Sequence, residues 1–407
     1  MRILHLSHCY PPALGGSEVL MEQISRRLVQ DHGHAVTVIT TTGYSTAPFR
    51  GDTAETMRPG NEVRDGVDVH RHDVDPRISR ALRRIHRPAW RLRMPGNSIL
   101  RTLYDGPVST PMLRDALSAN PDLIGATAFP LLHIHYAWLA ARRRRVPFVV
   151  YGALHPEDTW GYDRATIRFI ARQVDGYVAY TPAEAAHAVA LGVKEAAVHV
   201  IPPGIEPDEL EATSGDFRSD LDLPADAHLF GFVGQLGRGK GIFQLVEAFA
   251  AIAAELPNWW LVMAGAETLD VVLLEAEIMK LPLEIGQRIR IVRGFSAERK
   301  GDLYRALDVF VTPSMNESFG ITTVEAWHCG IPVIATRLAA VESFVRHGED
   351  AILVERGNWR ELAGAMIEVA RDSRFRQVMS ERGRVRAASL TWADTAEAVD
   401  ALYRSLV

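Results

Sequence analysis

Apolar and polar positions along the chain follow two alternating periods. Ile3 to Leu6 is a short apolar run, a loop with Pro11, Pro12, Gly15 and Gly16 follows, and Val19, Leu20, Ile24 and Leu28 then recur at helical spacing. Gly33 ends that helix and the β-branched run Ala35 to Thr40 reads as a second strand, so the chain opens with a β-α-β unit. Further strands are predicted at Val67 to Val69, Asp122 to Ile124, Leu131 to Ile134, Phe148 to Tyr151 and Gly176 to Tyr180. A second series begins after Ile201-Pro202-Pro203-Gly204. Its strands are Leu229 to Val233, Trp259 to Ala264, Ile289 to Val292, Val309 to Thr312, Pro332 to Ala335 and Ile352 to Val354, with helices at Phe243 to Leu256, Leu269 to Leu281 and Ala297 to Ala306.

Two such series joined by a short stiff linker predict an α/β protein of two Rossmann-like, doubly wound domains with a cleft between them. The expected division is residues 1–203, then 204–390, with a hinge at 202–204. Residues 391–407 form an amphipathic helix, with Ala396, Val399, Leu402, Tyr403 and Leu406 on one side, expected to pack back on the first domain.

Composition narrows the class. The chain has 407 residues, 47% hydrophobic and 23% charged, which suits globular domains and excludes global disorder and a disulfide-stapled miniprotein. No apolar run approaches the roughly 18 residues that span a bilayer. Cys9 and Cys329 form neither a disulfide framework nor a metal knuckle, and the first residues read as a strand rather than a signal peptide. A cytoplasmic protein is expected. With 45 Lys plus Arg against 50 Asp plus Glu the net charge is −5, which argues against a nucleic-acid partner. That sum hides an uneven segment: Pro76 to Tyr104 holds eight arginines and no acidic residue.

Ligands of open parallel sheets bind where strand-to-helix loops meet helix N-termini, and four such loops carry unusual residues. Pro11 to Glu18 places Gly15 and Gly16 before a helix, either as a tight turn capped by Ser17 or as free amides for a phosphate. Gly234-Gln235-Leu236-Gly237-Arg238-Gly239-Lys240-Gly241 resembles a phosphate cradle; it is not a Walker A loop, because Gly241 stands where Ser or Thr is required. Pro313 to Gly330 places Glu317 on a loop, Gly320 at the turn into a helix and Glu325 in the early helix, with the amides of Phe319, Gly320, Ile321 and Thr322 facing a ligand. Carboxylates there suit vicinal hydroxyls, and the amides suit a diphosphate. Tyr151 to Asp158 holds His155, as a ligand-facing residue or a helix-capping one. His133 and His135 alternate along a predicted strand and read as core histidines.

On these residues the chain resembles a GT-B glycosyltransferase of retaining family 4 over nearly its whole length. The E-x7-E pair Glu317 and Glu325 within P-S-x-x-E-x-F-G, the first-loop Gly-Gly, the Ile201-Pro202-Pro203-Gly204-Ile205 linker and the strand Gly330-Ile331-Pro332-Val333-Ile334-Ala335-Thr336 fit in order. The resemblance implies a nucleoside-diphosphate sugar donor, with UDP or GDP as the nucleotide, an acceptor that is a small molecule, a glycan or a lipid-linked sugar, and neither cofactor nor metal. It assigns the ribose to Glu325, the transferred sugar to Glu317 and the diphosphate to Lys240. It also assigns Gly15 and Gly16 to the phosphate or sugar, Phe295 in the Arg293-Gly294-Phe295 turn to the base, and His155 to the sugar and acceptor side. Catalytic roles fall to His155, Lys240 and Glu317.

There is one departure. Family members place an Arg after the first Gly of the phosphate loop; here it is Gln235, which weakens leaving-group stabilisation unless Arg238 reaches in. A catalytically weak sugar-nucleotide-binding protein therefore stands as one alternative, and a sugar-nucleotide epimerase, which would need acid/base carboxylates or histidines at C2 of the sugar, as another. In the basic segment Ile78, Leu82, Ile85, Ala89 and Leu92 form one stripe, and Arg80, Arg84, Arg87 and Arg91 another, if the chain is helical across Pro88. Three outcomes are open for it: contact with an anionic membrane surface, binding of a phosphate- or carboxylate-bearing acceptor, or a solvated helix packed on the first domain. Arg142 to Arg145 reads as a helix C-terminus.

Overall fold

The computed structural model describes residues 1–52, 55–155 and 158–407, without the side chains of Thr159 and Ala297. The chain divides into two compact units, Met1–Pro202 with Trp392–Val407, and Pro203–Thr391.

The first unit is built on eight strands: β1 (Arg2–Ser7), β2 (Ala35–Thr41), β3 (Gly60–Arg64), β4 (Val67–His72), β5 (Leu123–Thr127), β6 (Phe148–Tyr151), β7 (Gly176–Ala179) and β8 (Val198–Val200). Their order is β3-β4-β2-β1-β5-β6-β7-β8, parallel except for β3, which pairs antiparallel to β4. Strand order reverses between β1 and β5, so the loops after these strands diverge to opposite sides and leave a crevice. Leu4, Leu6, Ile124, Ala126, Phe148 and Val150 are buried on central strands under the helices Thr110–Ser118 and His133–Arg144. The near-continuous apolar runs of these strands reflect burial on both faces. The final helix, Trp392–Leu406, belongs to this unit: Tyr403, fully buried, hydrogen-bonds His5 Nε2 at 2.9 Å and Tyr151 Oη at 2.7 Å.

The second unit has six parallel strands, β9 (His228–Val233), β10 (Trp259–Gly265), β11 (Ile289–Arg293), β12 (Val309–Thr312), β13 (Val333–Thr336) and β14 (Ala351–Val354), ordered β11-β10-β9-β12-β13-β14. Its reversal falls between β9 and β12, which sets the Gly-rich loop beside the Glu317 loop.

Three expectations are corrected. Leu131 to Ile134 is not a strand: His133 opens the helix His133–Arg144, and both His133 and His135 lie on its first turns. That helix ends with Arg142, Arg143 and Arg144 in its last turn. The basic segment is not one helix but two short ones, Arg77–Leu82 and His86–Arg91, broken at 83–85. Its apolar stripe packs inward only in part: Ala89 is buried and Leu82 half-buried, but Ile78, Ile85 and Leu92 are exposed, and Ser79 and His86 are buried instead. Among the described residues no helix is long and apolar enough to cross a membrane.

Candidate functional site

In the second unit the backbone brings two loops together. Gly241 has φ +73°, and a Cβ there would sit 1.9 Å from the Pro313 carbonyl oxygen, so only glycine allows this approach. The Met315 amide donates to Gly239 O at 2.9 Å and pins the loops in register. Across this junction Lys240 Nζ meets Glu317 Oε2 at 2.7 Å. Both side chains are partly exposed, so a ligand can reach them.

Gly320, φ +107°, turns the chain into the helix Ile321–His328, which no side chain caps. Its first amides are therefore open to an anion. Glu325 is buried and held at both oxygens: Lys300 Nζ lies 2.9 Å from Oε1, and Tyr304 Oη donates to Oε2 at 2.7 Å. The Glu325 carboxylate raises the Lys300 ammonium above its usual range, although burial opposes the shift. A carboxylate has about four acceptor positions, so two remain for a pair of hydroxyls. Phe319 is 3% exposed and stacks on Phe344 at 4.6 Å, so it can offer a ligand only its backbone. Ile321 is half-buried at the helix start.

Gln235 is exposed after β9. Arg238 does not reach the Lys240–Glu317 pair: its amide donates to Asp270 Oδ2 at 2.8 Å, its Nε lies 3.3 Å from Asp270 Oδ1, and its guanidinium lies 4.3 Å from the Phe243 ring centre. Phe295 is half-buried beyond the Gly294 turn, whose amide donates to Gly265 O; Arg293 there is committed to Glu267 and Glu275.

In the first unit Gly15 precedes the helix Gly16–Gln30, again without a side-chain cap. A Cβ on Gly15 would lie 2.3 Å from Glu18 Oε2, whereas Gly16 faces open space. Behind them His8 Nε2 pairs with Glu18 Oε1 at 3.1 Å, and the His8 ring lies 5.8 Å from that of His133. Burial pushes the Glu18 carboxyl up, but His8 and the helix-start hydrogen bonds outweigh it and leave the group below its usual range. His133 is held neutral by burial and by His8, at about 3. Ligand atoms of His8, Cys9 and Glu18 lie within 4.8 Å of one another. Burial drives the Cys9 thiol strongly upward, so this trio offers a thiol beside a histidine and a carboxylate already in contact with each other.

His155 sits half-buried with its ring edge-on to Tyr162 at 5.2 Å. Pro156 and Glu157 of the same loop lie outside the described residues. The loop is set by Glu184, which sequence reasoning passed over. Its carboxylate accepts from the Leu154 amide (3.1 Å), the Tyr180 amide (2.9 Å) and Tyr177 Oη (3.0 Å), and burial raises it to about 7. The available signal was the capping box Thr181-x-x-Glu184, where Thr181 Oγ1 accepts from the Glu184 amide. Lys300 and Tyr304 were missed too, since an i, i+4 pair reads as an ordinary helix face.

Comparison with known proteins adds the following. A family model described as Glycosyl transferases group 1 matches residues 214–386, and one described as Glycosyltransferase Family 4 matches residues 14–209. A D-inositol 3-phosphate glycosyltransferase of Corynebacterium jeikeium is 32% identical over 222 residues, 52% of each chain, so the match spans about half the length of that relative. A protein of the same name from Nocardiopsis dassonvillei is 29% identical over 99% of this chain and 93% of its own. Among solved structures, sucrose-phosphate synthase from Thermosynechococcus elongatus superposes with TM-score 0.74 at 21% identity, covering 100% of this chain and 98% of that one. Anabaena Alr3699/HepE in complex with UDP and glucose gives TM-score 0.73 at 18% identity, covering all of both chains. At these identities the superpositions establish a common fold.

Proposed function

The chain belongs to the GT4-type glycosyltransferases of GT-B fold, and from that premise we propose that it moves a hexose or related sugar from a nucleoside-diphosphate sugar to an acceptor hydroxyl, with retention at the anomeric carbon and without a metal ion. The observation that carries this reading is the Lys240–Glu317 pair beside the uncapped helix start at 321. An ammonium and free amides converge where a diphosphate leaving group gains negative charge.

In this mechanism the donor diphosphate takes Lys240 from Glu317, and Glu317 turns to the hydroxyls of the sugar. Glu325, fixed by Lys300 and Tyr304, takes the two ribose hydroxyls on its remaining acceptor positions. The bond between the anomeric carbon and the phosphate oxygen breaks. Lys240 and the amides near 319–322 stabilise the departing anion, and the acceptor hydroxyl attacks from the same face, passing its proton to the phosphate. Gly15, Gly16 and His155 serve the sugar and acceptor side. Gln235 leaves Lys240 as the side-chain cation for the diphosphate, because Arg238 is spent on Asp270. The UDP named with a structural neighbour favours a uridine donor. Free thiols at Cys9 and Cys329 suit a cytoplasmic setting.

The test is a thermal-shift series over UDP- and GDP-sugars followed by transfer assays. A donor at 100 times its Kd adds about 2.7 kcal/mol to the native state. NMR of the product should show the donor's anomeric configuration. Normal turnover in Lys240→Ala overturns the mechanism, and a changed sugar nucleotide with no acceptor added supports an epimerase instead.

A further inference from the structure

The first unit holds a second, separate concentration of positive charge. Two arginines are fully buried there. Arg164 is paired, with Nη2 2.5 Å from Asp105 Oδ2, while its Nε and Nη1 have no hydrogen-bond partner among the described residues. Among the described residues Arg101, 0% exposed, forms no ion pair: Nη1 donates to the Asp163 carbonyl at 3.1 Å, its guanidinium lies 4.4 Å from the Trp160 ring centre, and the buried Nε and Nη2 have no hydrogen-bond partner. A buried guanidinium with two unfilled donors is costly unless another group completes it.

Arg101 lines a cavity of about 570 Å³, together with Trp90, Arg91, Arg93, Asp163 and Arg168. The acidic member is already used, since Asp163 Oδ1 accepts from Arg168 Nη2 at 2.7 Å. Arg91 and Arg93 are exposed and make no ion pair among the described residues. Of the other arginines of the segment, Arg77 pairs with Asp75 and Arg83 with Asp52, Arg80 donates to Gly51 O, and Arg84 and Arg87 are exposed. Arg91, Arg93 and Arg101 thus bring to this cavity, beside Trp90, three guanidiniums without an acidic partner among the described residues.

We propose that this cavity binds the phosphate-ester group of a phosphorylated sugar or headgroup, with Arg91 and Arg93 as its donors, Arg101 as the buried charge beside it and Trp90 against the apolar face of the attached ring. Guanidinium forks match phosphate oxygens in pairs, which the exposed side chains of Arg91 and Arg93 can supply, while the buried Arg101 adds charge without contact. The phosphate is carried either by a soluble sugar phosphate or by a lipid. If the ligand is the acceptor, that role rests on the transferase reading; the binding itself does not.

The test is calorimetry with glucose 6-phosphate, inorganic phosphate and glucose on the wild type, Arg101→Gln and Arg91→Ser/Arg93→Ser, with UDP titrated into each. A second arm measures sedimentation with phosphatidylglycerol vesicles against phosphatidylcholine vesicles. Expected is binding of glucose 6-phosphate at least tenfold tighter than glucose, weakened at least tenfold in both variants while UDP binding stays unchanged. Sedimentation with phosphatidylglycerol that is lost in Arg91→Ser/Arg93→Ser, without soluble binding, supports the site and identifies a lipid source. The exposed double variant keeps the test valid should Arg101→Gln not fold. Absence of binding to all phosphate probes, or binding that both variants retain, overturns the site. Loss of UDP binding in every protein with phosphate binding intact overturns the transferase reading alone.

Discussion

Lys240 and Glu317 stand 77 positions apart in sequence and 2.7 Å apart in space. Because the proposed chemistry asks Lys240 to exchange a carboxylate for a diphosphate, Lys240→Ala should lower kcat by about 10²–10³-fold, as loss of a preorganised transition-state donor does. Steady-state kinetics at saturating donor checks this. Tyr304→Phe removes one donor from Glu325 without touching the leaving group, so it should raise the donor KM by about tenfold, the worth of a hydrogen bond to a charged group, and leave kcat near wild type. Gln235→Arg restores a second cation at the diphosphate and should raise kcat. The carboxylates were legible because each is ordinary alone, one on a loop and one near a helix start, but the two together with the glycine-rich loops exceed what folding asks for. The supports of Glu325 were not, because Lys300 and Tyr304 act through contacts that their spacing does not announce, whereas Glu184 carried a capping-box signal that says nothing of the loop it holds.

At the scale of elements, the glycines of one loop divide sharply. Gly241→Ala forces a left-handed φ on alanine and drives its Cβ into the Pro313 carbonyl, so the variant should lose more than about 2 kcal/mol in denaturant unfolding. Gly239→Ala meets nothing within 4 Å and should cost little. The loop after β6 carries a pH signature. Glu184 ionises near 7 when folded and near 4.5 when unfolded, so its contribution is intact below about pH 4.5 and is lost as pH rises through 7. Glu184→Gln should gain on the wild type by up to roughly 3 kcal/mol between those limits, measured as the difference in unfolding free energy at pH 4.5 and pH 8. Parallel strands were readable as apolar runs. Leu131 to Ile134 misled because a short apolar run at a helix start has no period of its own. The stripes misled because the chain breaks at 83–85 into two short helices, so the residues on either side share no single helix face.

For the whole molecule, the two α/β series gave the fold class directly, while the edge strands β3 and β8, short and partly exposed, left no run to read. Helix Trp392–Leu406 buries Trp392, Ala396, Val399, Leu402 and Tyr403 in the first unit and places Tyr403 on both His5 and Tyr151. Truncation after Thr391 should therefore lower the unfolding temperature of the first unit and spare the second, seen as one shifted and one unshifted calorimetric transition.

That helix also sets a timetable. The core around β1 lacks Tyr403 until the ribosome has made all of Pro203–Thr391, an interval of roughly 10–40 s at bacterial-to-eukaryotic elongation speeds. During synthesis the second unit has its whole sequence first, although it comes later in the chain. Over that interval His5 and Tyr151 wait with their hydrogen bonds to Tyr403 unmade, and the nascent first unit is the part most exposed to chaperones and proteases.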